Sequence, residues 1–240
     1  LLILVCMHYI IDNIYLVGTN HISKDSVQEI EQLGKTTDFA VVCVELDKQR
    51  LHQLFSKKKK SSFFSMSRAI GVRATLFATI ASWLQQKMGR VVRLEPGSDM
   101  KQGALFAFKR KLPLYCIDQP IQITLKKLNN IFGIKFVFSF FKDIFNSIFF
   151  PKKVQKEMGI SSIKIEKVPT IETIEKVLGV MKKKYPGIYR VLVHDRNVYM
   201  SKKIIEIQKL YPEQPILIVI GAGHLNGIHK YLQINLHKEK

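Results

Sequence analysis

Short apolar runs alternate with amphipathic segments along this chain of 240 residues. Several runs have the length and β-branched composition of strands that are buried on both faces of a sheet. They cover residues 14–17, 39–44, 91–94, 114–117 and 216–220, and a shorter run at 9–11 precedes the first across a tight turn. Apolar residues at helical spacing separate these runs. This order predicts an α/β fold with a central, mostly parallel sheet flanked by helices.

The helical segments carry start and stop signals that agree with this fold. The predicted helices cover residues 23–33, 48–55, 67–88, 98–109, 120–129, 171–185 and 188–211, and a last helix ends near residue 232. Ser23 is a plausible N-cap of the first helix, and Gly34 stands where its C-cap belongs. The chain is long enough for one large α/β domain or two small ones.

Two helical segments stand apart from this alternation and predict a helical insertion. Residues 67–88 form a long amphipathic segment, and residues 131–150 are rich in phenylalanine but interrupted by Lys135, Lys142 and Asp143. Three charges make a membrane span costly, so a helix on a membrane surface, in a partner groove or over the core fits better. The two segments are candidates for a lid or for a subdomain that faces a membrane or a partner.

The charge of the chain bears on its partners. Thirty-eight Lys and Arg residues against 19 acids leave a net charge of +19. Such a surface favours anionic partners, although a lysine-rich solvated surface has the same composition. The basic residues are spread out and form no recognition motif, which argues against specific nucleic-acid binding. An anionic membrane surface is therefore a candidate partner, and no pattern predicts an oligomeric state.

Signals for targeting are weak. The apolar run at residues 1–7 is short and lacks both the basic region and the cleavage site of a signal peptide. The three cysteines are an odd number at unrelated spacings, which favours a reducing compartment. We expect a cytoplasmic protein or one bound peripherally to a membrane.

Polar side chains follow the predicted strands at their carboxyl ends. They are His21, Glu45, Glu95, Asp118 and His224. In a parallel sheet these ends share one edge, where ligands bind. Imidazole and carboxylate groups can bind a divalent metal, which activates water and polarises carbonyls. In the alternative, each histidine satisfies a local hydrogen bond, and Glu45 caps the next helix or pairs with Arg50.

Two of these strand ends share one motif. Residues 18–21 and 221–224 both have the pattern G-x-x-H after an apolar run. We expect Gly18 and Gly221 to turn the chain sharply out of its strand and Gly223 to adopt a positive φ before the histidine. The repetition predicts that the two histidines face one another across one site.

A polar cluster, Asp195-Arg196-Asn197, lies within a predicted helix. Asp195 and Tyr199 share a face by their i,i+4 spacing. A solvated helix surface is one interpretation, but Tyr199 and Met200 favour a face that looks inward. The sequence motifs of P-loop and dinucleotide-binding proteins, of serine hydrolases and of H-E-x-x-H zinc peptidases are absent.

In their order along the chain, these motifs resemble the TraB/PrgY family, which is related to the TIKI metalloproteases and the GumN-like proteins. The matching pieces are V-G-T-N-H-I-S at 17–23, V-E-L-D at 44–47, P-G-S-D-M at 96–100, I-D-Q-P-I at 117–121, D-R-N at 195–197 and V-I-G-A-G-H-L-N-G-I at 219–228. They span nearly the whole chain, which predicts a single domain over residues 1–240.

The resemblance implies a divalent-metal-dependent hydrolase acting on a peptide, as in the TIKI branch. By motif, His21, Glu45 and His224 would bind the metal, which is manganese, cobalt or zinc. The further residues in the predicted catalytic set are Arg50, Asp118, Asp195 and Arg196. The two arginines would orient the metal ligands or stabilise an oxyanion.

The PrgY branch of the same family implies an alternative. Its members block a secreted peptide pheromone at a cell surface by degradation or sequestration, so this chain could be a non-catalytic regulator that binds a peptide or a membrane surface. Two departures from the family pattern bear on the choice. Asp195 stands where glutamate is common and has a shorter reach, and Gln119 replaces a common arginine, which removes one candidate oxyanion donor.

Overall fold

The computed structural model describes residues 8–19, 24–56, 98–131 and 171–236, together with the single positions 75, 79, 139 and 142. Its strands are β1 (His8–Ile11), β2 (Ile14–Thr19), β3 (Val41–Val44), β4 (Leu114–Cys116) and β5 (Ile216–Gly221). They form one sheet in the order β1-β2-β5-β3-β4. β1 pairs antiparallel with β2, and the other neighbours are parallel. The predicted, mostly parallel sheet is confirmed.

The central strands are apolar at every position because both faces of the sheet are covered. All residues of β3 and β5 are buried, and successive side chains along a strand point to opposite faces. Ile218 belongs to a core that contains Met200, whereas Val219 belongs to a second core that contains Phe106. A strand in this position has no solvent-facing side, so its sequence shows no alternation of apolar and polar residues.

The helices follow the predicted order. They are α1 (Lys24–Thr36), α2 (Lys48–Phe55), α3 (Ser98–Lys109), α4 (Ile121–Ile131), α5 (Ile171–Lys184), α6 (Pro186–Tyr189), α7 (Asp195–Leu210) and α8 (Ala222–Leu236). Residues of α1 and α3 complete the core on one face of the sheet, and residues of α7 and α8 complete the core on the other. The prediction of a sheet flanked by helices is therefore confirmed.

A π-helical turn interrupts the segment predicted as one helix over residues 188–211. α6 ends at Tyr189, Arg190–His194 form the π turn, and α7 follows directly. Such turns are rare and often lie at functional sites. Here the turn directly precedes the polar cluster at residues 195–197.

Two glycines serve close packing rather than the turns predicted for them. Gly34 lies inside α1, where a Cβ atom would come within 2.6 Å of the Phe106 ring on α3. Gly18 lies inside β2, where a Cβ atom would come within 2.7 Å of Cδ2 of Leu225. The prediction of a C-cap at Gly34 is wrong, as is the prediction of a sharp turn at Gly18.

The predicted positive φ at Gly223 is also wrong. Gly223 is the second residue of α8, and a Cβ atom added to it would meet no atom within 4 Å. The second G-x-x-H motif is therefore a direct junction between β5 and α8, with its histidine in the first turn of the helix.

Several predicted elements lie outside the described residues. These are the strand at 91–94 with Glu95, the residues 20–23 with His21, and most of the segments 67–88 and 131–150. Thr75 and Thr79 are helical, and the Thr79 hydroxyl donates to the Thr75 carbonyl at 2.8 Å. The single domain over residues 1–240, with these segments as a lid, stays a prediction.

Candidate functional site

The carboxyl ends of four strands meet at one edge of the sheet. Thr19 pairs in register with Gly221, and Val44 pairs with both Val219 and Cys116. The residues just beyond these positions therefore leave the sheet on the same side, as expected for parallel strands. A set of largely buried polar side chains, the edge cluster, lies at this edge. It consists of Glu45, Asp118, Arg196, Asn197 and His224.

Glu45 lies at the middle of the edge cluster. The Gly221 N–H donates to its Oε2 at 2.7 Å, Nη2 of Arg196 donates to its Oε1, and Nε2 of His224 lies 3.3 Å from the same Oε1. Burial on its own would raise the pKa of Glu45. The positive charges of His224 and Arg196, with the Gly221 N–H, outweigh burial and lower the pKa to about 2. The carboxylate is therefore ionised at neutral pH.

Arg196 joins Glu45 to Asp118. Its Nε donates to Oδ1 of Asp118 at 3.0 Å and its Nη2 to Oδ2 at 2.8 Å, which is a bidentate pair. Its Nη1 donates to the Leu192 carbonyl, in the π turn, at 3.3 Å. Burial on its own would lower the pKa of Arg196, but Glu45 and Asp118 raise it above its usual value. The guanidinium is thus a permanent cation held at all three of its nitrogens.

Asn197 holds the imidazole of His224. Its Oδ1 lies 2.5 Å from Nδ1 of the ring. Gly227, one turn further along α8, leaves room for this amide, because a Cβ atom there would overlap Nδ2 of Asn197. Asn197 lies in the D-R-N motif, but its residue type alone predicted no role for it. Its position next to Arg196 in D-R-N is the signal that pointed to it.

Arg50 contacts Asp118 rather than Glu45. Its Nη1 lies 3.3 Å from Oδ2 of Asp118, and its side chain is 37% exposed. The N-cap of α2 is Asp47, whose Oδ1 accepts from the Arg50 N–H at 2.8 Å. Glu45 therefore neither caps α2 nor pairs with Arg50, and both of these alternatives are wrong.

The side chains of two other polar residues singled out in the sequence have partners other than Glu45 in the described part of the chain. Asp195 pairs with Lys127 at 2.6 Å and lies 3.8 Å from Nε of Arg190. In the described part of the chain, no hydrogen bond or ion pair joins Asp195 to the edge cluster. Gln119 is buried, and its Nε2 donates to Oγ1 of Thr124 at 2.7 Å. The Asp195 ion pair therefore connects α7 to α4, and the Gln119 hydrogen bond connects the segment after β4 to α4.

A second buried polar contact lies at the end of β2. Thr19 and Asp99 are 1% and 5% exposed, and Oγ1 of Thr19 contacts Oδ2 of Asp99. The same hydroxyl lies 3.2 Å from the Ile220 carbonyl. The contact joins the start of α3 to the point where the chain leaves the sheet toward His21. Both residues lie in the motifs at 17–23 and 96–100, but neither was predicted to have a role of its own.

His21 itself lies outside the described residues. Within the described ranges, no group of three or more His, Cys, Asp or Glu side chains is arranged to hold a metal ion. The structure brings together two of the three predicted metal ligands, Glu45 and His224.

A parallel sheet whose carboxyl edge holds a buried arginine, histidine and carboxylates defines an α/β domain with a polar site at its edge. The chain belongs to the TraB/PrgY/gumN family, whose pattern it matches over residues 11–239. The family predicted from the motifs is confirmed.

Relatives of this chain occur in archaea and mammals. It is 30% identical over 223 residues to uncharacterized protein MJ1365 of Methanocaldococcus jannaschii, covering 92% of this chain and 53% of the relative. It is 22% identical to the TraB domain-containing proteins of Mus musculus and Homo sapiens, covering 93% of this chain and 64% of each relative. The chain therefore spans less than two thirds of the length of these relatives, whose names give no reaction.

Membrane association was predicted as peripheral. In the part of the chain that the structure describes, no helix combines the length and the hydropathy needed to cross a bilayer.

Proposed function

We propose that this chain is a divalent-metal-dependent hydrolase that cleaves a peptide. The observation that carries the proposal is the pairing of Oε1 of Glu45 with Nε2 of His224, 3.3 Å apart at the carboxyl edge of the sheet. The peptide as substrate class follows from the resemblance to the TIKI branch.

The donor atoms of these two side chains suit a bound cation. When Nδ1 of His224 donates to Oδ1 of Asn197, the lone pair of Nε2 faces the ionised Glu45. A lone pair and a carboxylate at this distance repel unless a proton or a metal ion lies between them.

His21 is the third ligand in this proposal. It follows Thr19 by two residues, and Thr19 pairs in register with Gly221, whose N–H donates to Glu45. The chain therefore leaves β2 beside the carboxylate. Manganese, cobalt and zinc all accept imidazole and carboxylate ligands, so the donor set fits each of them.

A divalent ion bound there would act as a Lewis acid toward a substrate carbonyl. Arg196 uses four N–H groups on Glu45, Asp118 and the Leu192 carbonyl, so its role is to orient Glu45 rather than to stabilise an oxyanion. The cations around Glu45 hold its pKa well below its usual range, and a metal ion bound by His224 would take the place of the imidazolium charge, so Glu45 is too weak a base to take a proton near neutral pH. Glu45 is therefore a ligand in this mechanism, and not the general base.

Metal titration tests the proposal. The purified chain is stripped with a chelator and titrated with manganese, cobalt and zinc by calorimetry, and peptide cleavage is followed by mass spectrometry. We expect one ion per chain and metal-dependent cleavage, with both lost in His21→Ala and His224→Ala. The control is His229→Ala, because His229 lies on the same helix but stacks on Tyr9 at 3.9 Å. Equal metal binding by the unaltered chain and by all three variants would refute the proposal.

A non-catalytic regulator that binds a peptide or an anionic membrane surface is the second candidate. It is favoured by the hydrogen bonds that both oxygens of Glu45 already accept within the fold, from Arg196 and from the Gly221 N–H. This candidate predicts binding to peptides or to phosphatidylserine vesicles without turnover, unchanged in His224→Ala. Cleavage that requires His224 would exclude it.

A further inference from the structure

The edge cluster continues into a row of side chains in which basic and acidic groups alternate. From one end to the other the row contains Arg50, Asp118, Arg196, Glu45 and His224, and each contacts the next. The Arg50 side chain is 37% exposed, whereas the other four are exposed by 16% or less. The end of the row that is open to solvent is therefore a guanidinium.

Asp118 does not need Arg50 as a partner. Its Oδ1 accepts from Nε of Arg196 at 3.0 Å and from the Gln119 N–H at 2.8 Å. Its Oδ2 accepts from Nη2 of Arg196 at 2.8 Å, and Arg50 adds only a longer contact at 3.3 Å. Loss of Arg50 would leave three hydrogen bonds to this buried carboxylate, so stabilisation of Asp118 alone does not explain an arginine at this position.

The backbone of Arg50 is nevertheless held firmly. Asp47 accepts from the Arg50 N–H at 2.8 Å through Oδ1 and from the Ile121 N–H at 3.2 Å through Oδ2. One carboxylate therefore anchors the starts of both α2 and α4. In the described part of the chain, the Arg50 side chain makes a single hydrogen bond, the one to Asp118. Its remaining N–H groups form a planar fork that suits a carboxylate.

We infer that Arg50 binds a carboxylate of the peptide substrate at the open end of this row. The inference rests on the proposed function and narrows the substrate class to peptides with an anionic group near the site. That group is either the C-terminal carboxylate or an acidic side chain, because both present the same two oxygens.

Binding of matched peptide libraries tests this inference. Degenerate hexapeptides are prepared with a C-terminal acid, with a C-terminal amide, and as amides with one internal Glu or Gln. Retention by the immobilised full chain is measured by mass spectrometry. We expect about tenfold stronger retention of a carboxylate library than of its neutral match. The pair that shows this difference identifies whether the carboxylate is terminal or internal.

Variants at Arg50 assign the preference to this side chain. Arg50→Met is expected to abolish it and Arg50→Lys to retain only part of it, because an ammonium cannot pair in the bidentate manner. Arg110→Met is the control, since it removes the same charge just beyond the end of α3, where Cζ of Arg110 lies 4.8 Å from the centroid of the Phe106 ring. Carboxylate preference that persists in Arg50→Met, or equal retention of all libraries by the unaltered chain, overturns the inference.

His224→Ala separates this inference from the proposed hydrolase. This variant is expected to lose the metal and to keep the carboxylate preference. If the unaltered chain binds no metal but prefers carboxylate peptides through Arg50, the proposed hydrolase is refuted and the inference that Arg50 binds a peptide carboxylate is supported. A chain that binds metal and shows no preference refutes only the role of Arg50.

Discussion

Glu45 and Arg196 lie 151 residues apart in the sequence and form a buried ion pair at the carboxyl edge of the sheet. Their side chains are 11% and 16% exposed. Asp118, which is 3% exposed, shares the same guanidinium. One arginine therefore compensates two buried carboxylates, and this arrangement makes the stability of the fold dependent on a residue of the candidate site.

Arg196→Met is expected to lower the free energy of unfolding by about 3–5 kcal/mol, because it removes the cation that Glu45 and Asp118 share. Urea denaturation measures this loss. The matched control is Arg190→Met, because Arg190 is 75% exposed and 3.8 Å from its partner Asp195. The control is expected to change stability by less than about 0.5 kcal/mol. Similar losses in both variants would contradict the assignment of the buried pair.

Asn197→Ala is expected to weaken metal binding by about 10–100-fold, because it removes the acceptor that orients the imidazole of His224. Calorimetric titration measures the affinity. Ser201→Ala is the control on the same helix, since the buried Ser201 hydroxyl has no hydrogen-bond partner among the described residues. An unchanged affinity in Asn197→Ala would show that this amide does not set the ligand geometry.

Gly227→Ala is expected to destabilise the protein by about 1–3 kcal/mol, because the added methyl group overlaps the amide of Asn197. In the Asn197→Ala background the same substitution should cost much less, since the amide that it meets is gone. A double-mutant cycle of unfolding free energies measures this coupling. Additive costs would mean that the two residues do not compete for the same space.

The metal-free chain is expected to lose stability in acid as Glu45 takes up a proton. The pKa of Glu45 falls from its ordinary 4.5 to about 2 on folding, so the unfolded chain binds this proton first as the pH drops. The stabilisation is therefore complete above about pH 4.5 and is lost as the pH falls through about 2. It amounts to roughly 3 kcal/mol. Glu45→Gln should lack this part of the pH dependence, and parallel stability curves for the two proteins would contradict the assignment.

The sequence by itself determined the sheet and the edge that carries the site. Short, continuous apolar runs rich in β-branched residues are typical of strands covered on both faces, which favours a parallel sheet. Parallel strands present their carboxyl ends at one edge, so the residues after β3, β4 and β5 were expected to meet there. Glu45, Asp118 and His224 do meet at that edge.

Only the tertiary structure decided which partner each of these residues takes. Sequence proximity suggested Arg50 for Glu45, but the packing of α7 over the sheet brings Arg196 to Glu45 and leaves Arg50 on Asp118. Asn197 on α7 contacts His224 on α8, which is 27 residues further along the sequence, and this contact also depends on how the helices pack. These contacts depend on how far and at what angle helices approach the sheet and each other, which the local pattern of apolar and polar residues does not encode.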